Sequence, residues 1–416
     1  MSSAPTPAPG GSRAAERGVR AGLMLAGVLL LAANLRAGIT SVGPVLGDIR
    51  TDLGIGGAAA SFLVALPVIG FAVVSPVAPG IARRVGLEPA LGGSLLVLAA
   101  AIVLRSVPVP GAIWVGTAGL GAAVAMINVL LPALIKREYP DRVGMMTGFY
   151  SALQSGVAAI AAGLSVPIAG TTDAGWRLSL GIWAALALIG FAVFLPQLRA
   201  RRASRTVDAA AVETTDAPAD PAHVGSMWRS PLAWAVTLYL GLQSTIYYTA
   251  ITWWPTVEHN DGLSVAAAGW HQFVFQGFGI VGSLTAAALL HRLRSQSGLA
   301  AIAAVFAFAG VGGQLLFPSL GILWVVLLGA SGGASITIAL SLFGLRTRNH
   351  HQAASLSGMG QSVGYLIAAF GPTVVGILHD ATGSWEVPLL VLLAVTVGIF
   401  VTGILAGRAR FVGEHA

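Results

Sequence analysis

The chain has no cysteine, a single lysine, and few charges of any kind, 9% of its 416 residues. Without cysteine, disulfides, thiolate metal sites and cysteine nucleophiles are excluded. A soluble domain carries about a quarter of its residues as charges. With 9% charged and 56% hydrophobic, this chain reads as a polytopic protein whose partner is a lipid bilayer. The lone lysine, Lys136, follows Ile135, so no Gly-Lys-Ser/Thr phosphate loop exists and ATP-driven pumping by this chain alone is excluded. The formal charge of +7 does not indicate nucleic acid, because the basic residues sit in short connectors and form no patch with interleaved aromatics. His350-His351 lacks neighbouring ligands, which argues for a solvated loop and no metal. Gly358-Met-Gly-Gln-Ser-Val-Gly364 has the wrong spacing for a dinucleotide fingerprint and follows no strand, so no cofactor is expected.

What is present is a series of apolar runs of about 20 residues, the length that crosses a bilayer. They cover 21–46, 58–80, 88–106, 111–135, 144–169, 177–197, 231–255, 265–290, 298–317, 320–342, 353–378 and 385–407. The expected fold class is therefore an all-α membrane protein of twelve transmembrane helices in two pseudo-symmetric six-helix bundles. With both ends cytoplasmic, nineteen basic residues fall in inner segments, and only Arg50, Arg105 and Arg177 fall outside. That asymmetry sets the orientation. Residues 1–20, rich in Pro, Ala, Gly and Ser, are expected to form a disordered cytoplasmic tail. The apolar run behind them continues too far for a cleaved signal peptide.

Arg199 to Ser230 interrupts the apolar pattern with four arginines, then Asp208, Glu213, Asp216 and Asp220 among Pro218 and Pro221. It has too little apolar surface to fold and reads as a cytoplasmic linker, 199–230. This divides the chain into an N-terminal bundle, 21–198, a C-terminal bundle, 231–407, and a short tail, 408–416. The halves echo each other at an offset of 210: Leu53-Gly-Ile-Gly-Gly-Ala-Ala-Ala with Leu263-Ser-Val-Ala-Ala-Ala, and Thr147-Gly148 with Ser357-Gly358. Internal duplication is the pattern of secondary transporters, whose substrate site lies between the repeats near the midplane.

Arg36 stands out against this background. A continuous helix from Arg20 would place it roughly 24 Å along the first span, and a charge buried there costs at least about 2.5–3.5 kcal/mol. No acidic residue lies deep in any span to neutralise it: Asp48, Asp52, Glu88, Glu138, Asp141, Asp173, Glu258, Asp261, Asp380 and Glu386 all fall at span ends or in loops. The structural alternative is an arginine satisfied by backbone carbonyls or reaching the far interface. Other polar residues recur at helical spacing: Gln243 with Tyr247, beside Tyr248; Tyr150 with Gln154; and Gln361 with Tyr365. An i, i+4 pair shares one face and presents a phenol and an amide together. Asn34, Asn128, His271, Gln272 and Gln276 complete the candidate substrate-binding set, weighed against plain interhelical hydrogen bonding at about 0.6 kcal/mol each. A cavity whose one fixed charge is Arg36 favours an anion or a group with strong acceptor oxygens such as nitro or carboxylate. Without an intramembrane carboxylate, His271 is the expected carrier of any coupled proton, unless an acidic substrate brings its own. Trp253 and Trp254, before Pro255, fit an interfacial aromatic belt.

Asn34-Leu-Arg-Ala-Gly-Ile-Thr-Ser-Val-Gly-Pro44, Leu131-Pro-Ala-Leu-Ile-Lys-Arg137, Trp253-Trp-Pro255 and Gln361 in its glycine-rich setting resemble the cyanate permease and nitroimidazole transporter family within the major facilitator superfamily. The resemblance spans essentially all twelve helices. It implies a two-domain plasma-membrane transporter, monomeric and not an enzyme, rocking around a central site lined by spans 1, 5, 7, 8 and 11. Gly80-Ile-Ala-Arg83-Arg84-Val-Gly86 departs from the superfamily's loop between spans 2 and 3 by lacking its aspartate. The expected substrate is a small anion or nitro-aromatic solute of cyanate or nitroimidazole type. A multidrug exporter of the same superfamily is the alternative, disfavoured by the missing buried carboxylate. A membrane receptor or enzyme is more remote, since no His/Asp/Glu cluster marks a reaction site.

Overall fold

A computed structural model describes residues 10–55, 57–209 and 227–413. The described chain is all helical. In the first half, α1 (Gly10–Ala33), α2 (Ala37–Thr40) and α3 (Leu46–Leu53) make the first span, and α4 (Gly57–Val74) with α5 (Ala78–Val85) the second. Then follow α6 (Leu87–Ser106), α7 (Ala112–Glu138), α8 (Val143–Ala169), and α9 (Trp176–Gly181) with α10 (Trp183–Ala209). The second half is built from α11 (Pro231–Asn260), α12 (Val265–Leu290), α13 (Ser297–Leu316), α14 (Gly321–Leu345), α15 (His350–Thr382) and α16 (Glu386–Ala406).

Among the described residues, ten helical segments are long and apolar enough to cross a membrane, or eleven if the pair α4–α5, bent by 60°, counts as one. Pro76, which has no N–H to continue the ladder, lies at that bend. The twelfth segment of the sequence pattern is α11. It falls short on hydropathy because Gln243, Ser244, Thr245, Tyr247 and Tyr248 dilute its middle, the polarity expected of a helix that lines a site.

Two boundaries differ from the sequence reading. The first helix begins at Gly10, inside the tail expected to be disordered, because Arg13 to Arg20 is rich in Ala, Arg and Glu, all strong helix formers. Likewise α10 runs on to Ala209, so the start of the expected linker continues the sixth span as helix. Residues 1–9, 414–416 and the acidic stretch 210–226, with Glu213, Asp216 and Asp220, lie outside the described residues. At the C-terminal end, the Val412 N–H donates to the Arg346 carbonyl and the Val412 side chain is buried, which ties this tail back to the end of α14.

Helices within each half pack through small residues. A Cβ on Gly70 of α4 would sit 2.9 Å from the Gly121 carbonyl carbon of α7, and one on Gly241 of α11 would lie 3.1 Å from Gly364 Cα of α15. Lipid gives no hydrophobic drive between helices, so such close backbone approach supplies the packing energy. Across the halves, Gly148 of α8 meets Ala287 of α12, and Gly358 of α15 meets Pro79 of α5 and the Ser75 carbonyl. The two glycines matched at the offset of 210 therefore occupy the two equivalent seams between the halves.

These seams lie toward one face only. Gly144–Leu290, Gly344–Val143, Ser362 Oγ donating to the Ala72 carbonyl at 3.3 Å, and Gln361 Nε2 donating to the Asn128 carbonyl at 2.8 Å all join the halves there. The helix ends beyond them carry Arg83, Arg84, Lys136, Arg137, Arg292 and Arg294. At the opposite ends, the side-chain bonds among the described residues stay within a half. Arg177 Nη1 meets Asp52 at 2.6 Å in the first, and Trp253 Nε1 donates to the Pro372 carbonyl at 2.8 Å in the second. The contacts that join the halves are thus gathered toward the basic end.

A candidate substrate site at a break in the first span

The first span is not a continuous helix. Its ladder stops at Ala33, Asn34 to Arg36 form a turn, and α2 is one helical turn long. The cause is local. Asn34 Nδ2 donates to the Leu30 carbonyl at 2.8 Å and to the Leu186 carbonyl of α10 at 3.2 Å, offering the backbone an alternative to the helix. Thr40 Oγ1 donates to the Arg36 carbonyl and to the Ala158 carbonyl of α8, both at 3.1 Å. Arg105 Nη1 donates to the Gly38 carbonyl at 2.6 Å. Three neighbouring helices thus hold the break in place.

Arg105 was counted from sequence as an outer-side charge. Its side chain instead turns inward, 1% exposed, because the carbonyl of the broken span offers a strong acceptor. Gly38 makes this approach possible, since a Cβ there would come within 2.8 Å of Leu120 Cδ1.

Arg36 leaves this turn toward the second half. Its guanidinium lies against Tyr248, with Tyr247 and Tyr365 also within reach of its charge. Among the described residues, the titratable groups that act on it are these phenols. The aromatic wall continues in a Tyr247–Tyr248 edge contact with centroids 5.6 Å apart, Tyr247 on Phe275 at 5.8 Å and Tyr365 on Phe71 at 5.8 Å. Tyr150 is buried beside Tyr365. The Tyr247 hydroxyl donates to Gln276 Oε1 at 3.3 Å, bridging α11 and α12. A planar cation among phenols can hold a flat acceptor group by two parallel donors and by stacking.

Other candidates lie elsewhere. Asn34 is 3% exposed and spends its amide on backbone carbonyls, so it shapes the break and does not face the cavity. Gln361 donates to the Asn128 carbonyl and to Ser357 Oγ, each at 2.8 Å, which places its amide in the seam between the halves. Gln243 donates to the Leu240 carbonyl and Ser244 Oγ. It lines a small pocket inside the second half with Tyr247, Phe275, Leu328, Ser331 and Ser335. His271 sits near the start of α12, its Nδ1 2.7 Å from Glu258 Oε1 at the end of α11. Asn128 and Gln272 are half-buried and Gln154 is buried. No side-chain hydrogen bond holds these three amides among the described residues. Trp253, bonded to the Pro372 carbonyl and tilted against Trp385 with ring centroids 5.6 Å apart, and Trp254, which is buried, pack within the second half.

Sequence reasoning missed Thr40, Arg105 and Glu258. Arg105 and Glu258 were visible as charges at span ends, but nothing in their spacing showed that they turn inward.

The model of the Major Facilitator Superfamily matches residues 24–372. An uncharacterized transporter of Bacillus subtilis, YycB, is 39% identical over 94% of this chain and 94% of its own length. The 2-nitroimidazole transporter of Escherichia coli is 38% identical over 93% of this chain and 96% of its own. The Escherichia coli cyanate transport protein CynX is 25% identical over 93% and 98%. Among solved structures, the proton:xylose symporter XylE superposes with a TM-score of 0.71 over 94% of this chain and 97% of its own, at 14% identity. The chain belongs to the major facilitator superfamily: it is a multi-pass membrane transporter, not an enzyme.

Proposed function

We propose that this transporter carries a small anion or a nitro-bearing aromatic solute, with Arg36 as its anchor. The carrying observation is that a helix break presents an arginine into a space where phenols are its titratable neighbours. An arginine without a carboxylate partner attracts a charge or acceptor of opposite sign from outside, and water exclusion strengthens that attraction. Tyr247, Tyr248 and Tyr365 supply flat surfaces for a ring, and the amides of Asn128, Gln154 and Gln272 are free to donate to a solute. Relatives named for 2-nitroimidazole and cyanate support this class.

The basic connectors belong in the cytoplasm by the positive-inside pattern, which puts both termini there. The face at which the halves join is then cytoplasmic, and the space beside Arg36 opens outward. Alternating access exchanges this seam for one at the opposite helix ends, around Arg36.

The test is binding and counterflow of 2-nitroimidazole and cyanate by purified protein in liposomes. Wild type exchanges one of them. Arg36→Ala abolishes binding while melting as wild type does, and Arg36→Lys weakens binding strongly, because a point charge loses the two-donor grip. A charge-assisted bond of about 1.5–3 kcal/mol corresponds to at least a tenfold loss. Normal binding by an Arg36→Ala protein that unfolds easily would assign the arginine to the fold and remove the anionic or nitro class.

A further inference from the structure

We infer that Glu258 and His271 together form a proton-binding site, separate from the Arg36 cavity, that couples transport to the proton gradient. The inference rests on the transporter reading above, not on the identity of the solute. Glu258 is 2% exposed near the end of α11, and its Oε1 meets His271 Nδ1 at 2.7 Å while Oε2 has no partner. Gly321, at the start of α14, closes over the pair, since a Cβ there would lie 3.0 Å from Glu258 Oε1 and 3.5 Å from His271 Cε1. The absence of that side chain gives the dyad its space.

The chemistry sets this carboxylate apart from the others. Glu88, also buried, is paired at 2.6 Å with Arg137, a permanent cation. Asp52 is matched by Arg177 in the same way. Glu258 has a partner that can itself lose its charge. The other acid near it is Asp261, which accepts from Gln314 Nε2 of α13 at 2.8 Å. His259 turns away to the Leu263 carbonyl. No titratable side chain of α14 takes part in these contacts. With one proton shared, the dyad is carboxylate and imidazolium, neutral overall. When it is released, a carboxylate is left beside a neutral imidazole, a net negative charge with one oxygen unpartnered. Such a buried charge is costly, so the pair takes up or gives back one proton as a unit.

Position connects this event to the solute. The same two helices are bridged a second time by Tyr247 and Gln276. Glu258 lies eleven residues beyond Tyr247 on α11, about 16 Å at 1.5 Å per residue, and His271 lies five residues before Gln276 on α12. A change in attraction at the dyad alters how the ends of α11 and α12 hold together, and the Tyr247–Gln276 contact beside Arg36 moves with them.

The experiment uses the full chain in liposomes with Glu258→Gln and His271→Gln. Both variants exchange 2-nitroimidazole or cyanate as wild type does, but neither accumulates it above equilibrium when an inward proton gradient is imposed, and a trapped pH dye reports no proton entry. Wild-type accumulation by Glu258→Gln overturns the inference. So does a wild-type protein that exchanges solute without moving protons, and in that case the substrate reading stands. A second readout needs no solute. A cysteine introduced at Asn260, exposed where α11 ends at its connection to α12, is labelled by a soluble maleimide in this cysteine-free chain. Corrected for thiol ionisation, its rate changes with pH, and this change is lost with Glu258→Gln. Equal pH dependence in the two backgrounds also overturns the inference, whichever solute is carried.

Discussion

Arg105→Met separates the bracing of the helix break from the stability of the fold. Arg105 is fully buried, donates one hydrogen bond, to Gly38, and leaves Nε and Nη2 without partners. The bond is charge-assisted and contributes about 1.5–3 kcal/mol. Removing a cation from water costs several kcal/mol even after relaxation, with no countercharge here to offset it. The cost exceeds the gain, so methionine, which keeps most of the bulk, leaves the melting temperature unchanged or raises it. Recognition responds in the opposite direction. Gly38 lies in the one turn that follows Arg36, and once released from Arg105 this turn no longer fixes where the guanidinium points. A tenfold loss of affinity, about 1.4 kcal/mol, is expected for whichever of 2-nitroimidazole or cyanate the wild type binds, measured calorimetrically beside a melting curve in the same detergent. A protein that melts several degrees lower with wild-type affinity would refute the reasoning, because Arg105 would then support the fold and not the position of Arg36.

Three further outcomes follow from named contacts. Tyr248→Phe removes the hydroxyl nearest Arg36 and should weaken solute binding a few-fold, as a neutral hydrogen bond of about 0.5–1.5 kcal/mol requires; unchanged affinity in a titration would show that the phenol only packs. Gly148→Val places a side chain where Ala287 already sits, so the basic-end seam cannot close, and a cysteine in the cavity should become reachable from that end while uptake fails. Glu88→Gln breaks the ion pair with Arg137 between α6 and α7, costing about 1–2 kcal/mol after discounting the partly exposed arginine, seen as a lower melting temperature with solute affinity unaltered.

The spans and their pairing into halves were legible because the bilayer fixes how long an apolar run must be, and because Gly148 and Gly358 had to remain small wherever the halves meet. The facing of each helix was not legible. In a soluble bundle a polar stripe marks the outer side, but here lipid and protein interior are equally apolar, so Ile102 and Arg105 on α6 give no sign that they are buried beside Gly38 of the first span. Polar residues restore some information, since each must find a partner or water, but not which partner. Gln361 found the Asn128 backbone across the seam, Gln243 found its own helix, and Asn34 used its amide to open the turn that Arg36 needs. His271 was legible as a titratable group and Glu258 as a charge at a span end. Their contact depended on the rotation of α11 relative to α12 about a four-residue connection, which no periodicity records. Arg36 carried its argument by residue type alone: a guanidinium this far into a span has to be satisfied by something, and the break in its own helix sets it against Tyr248.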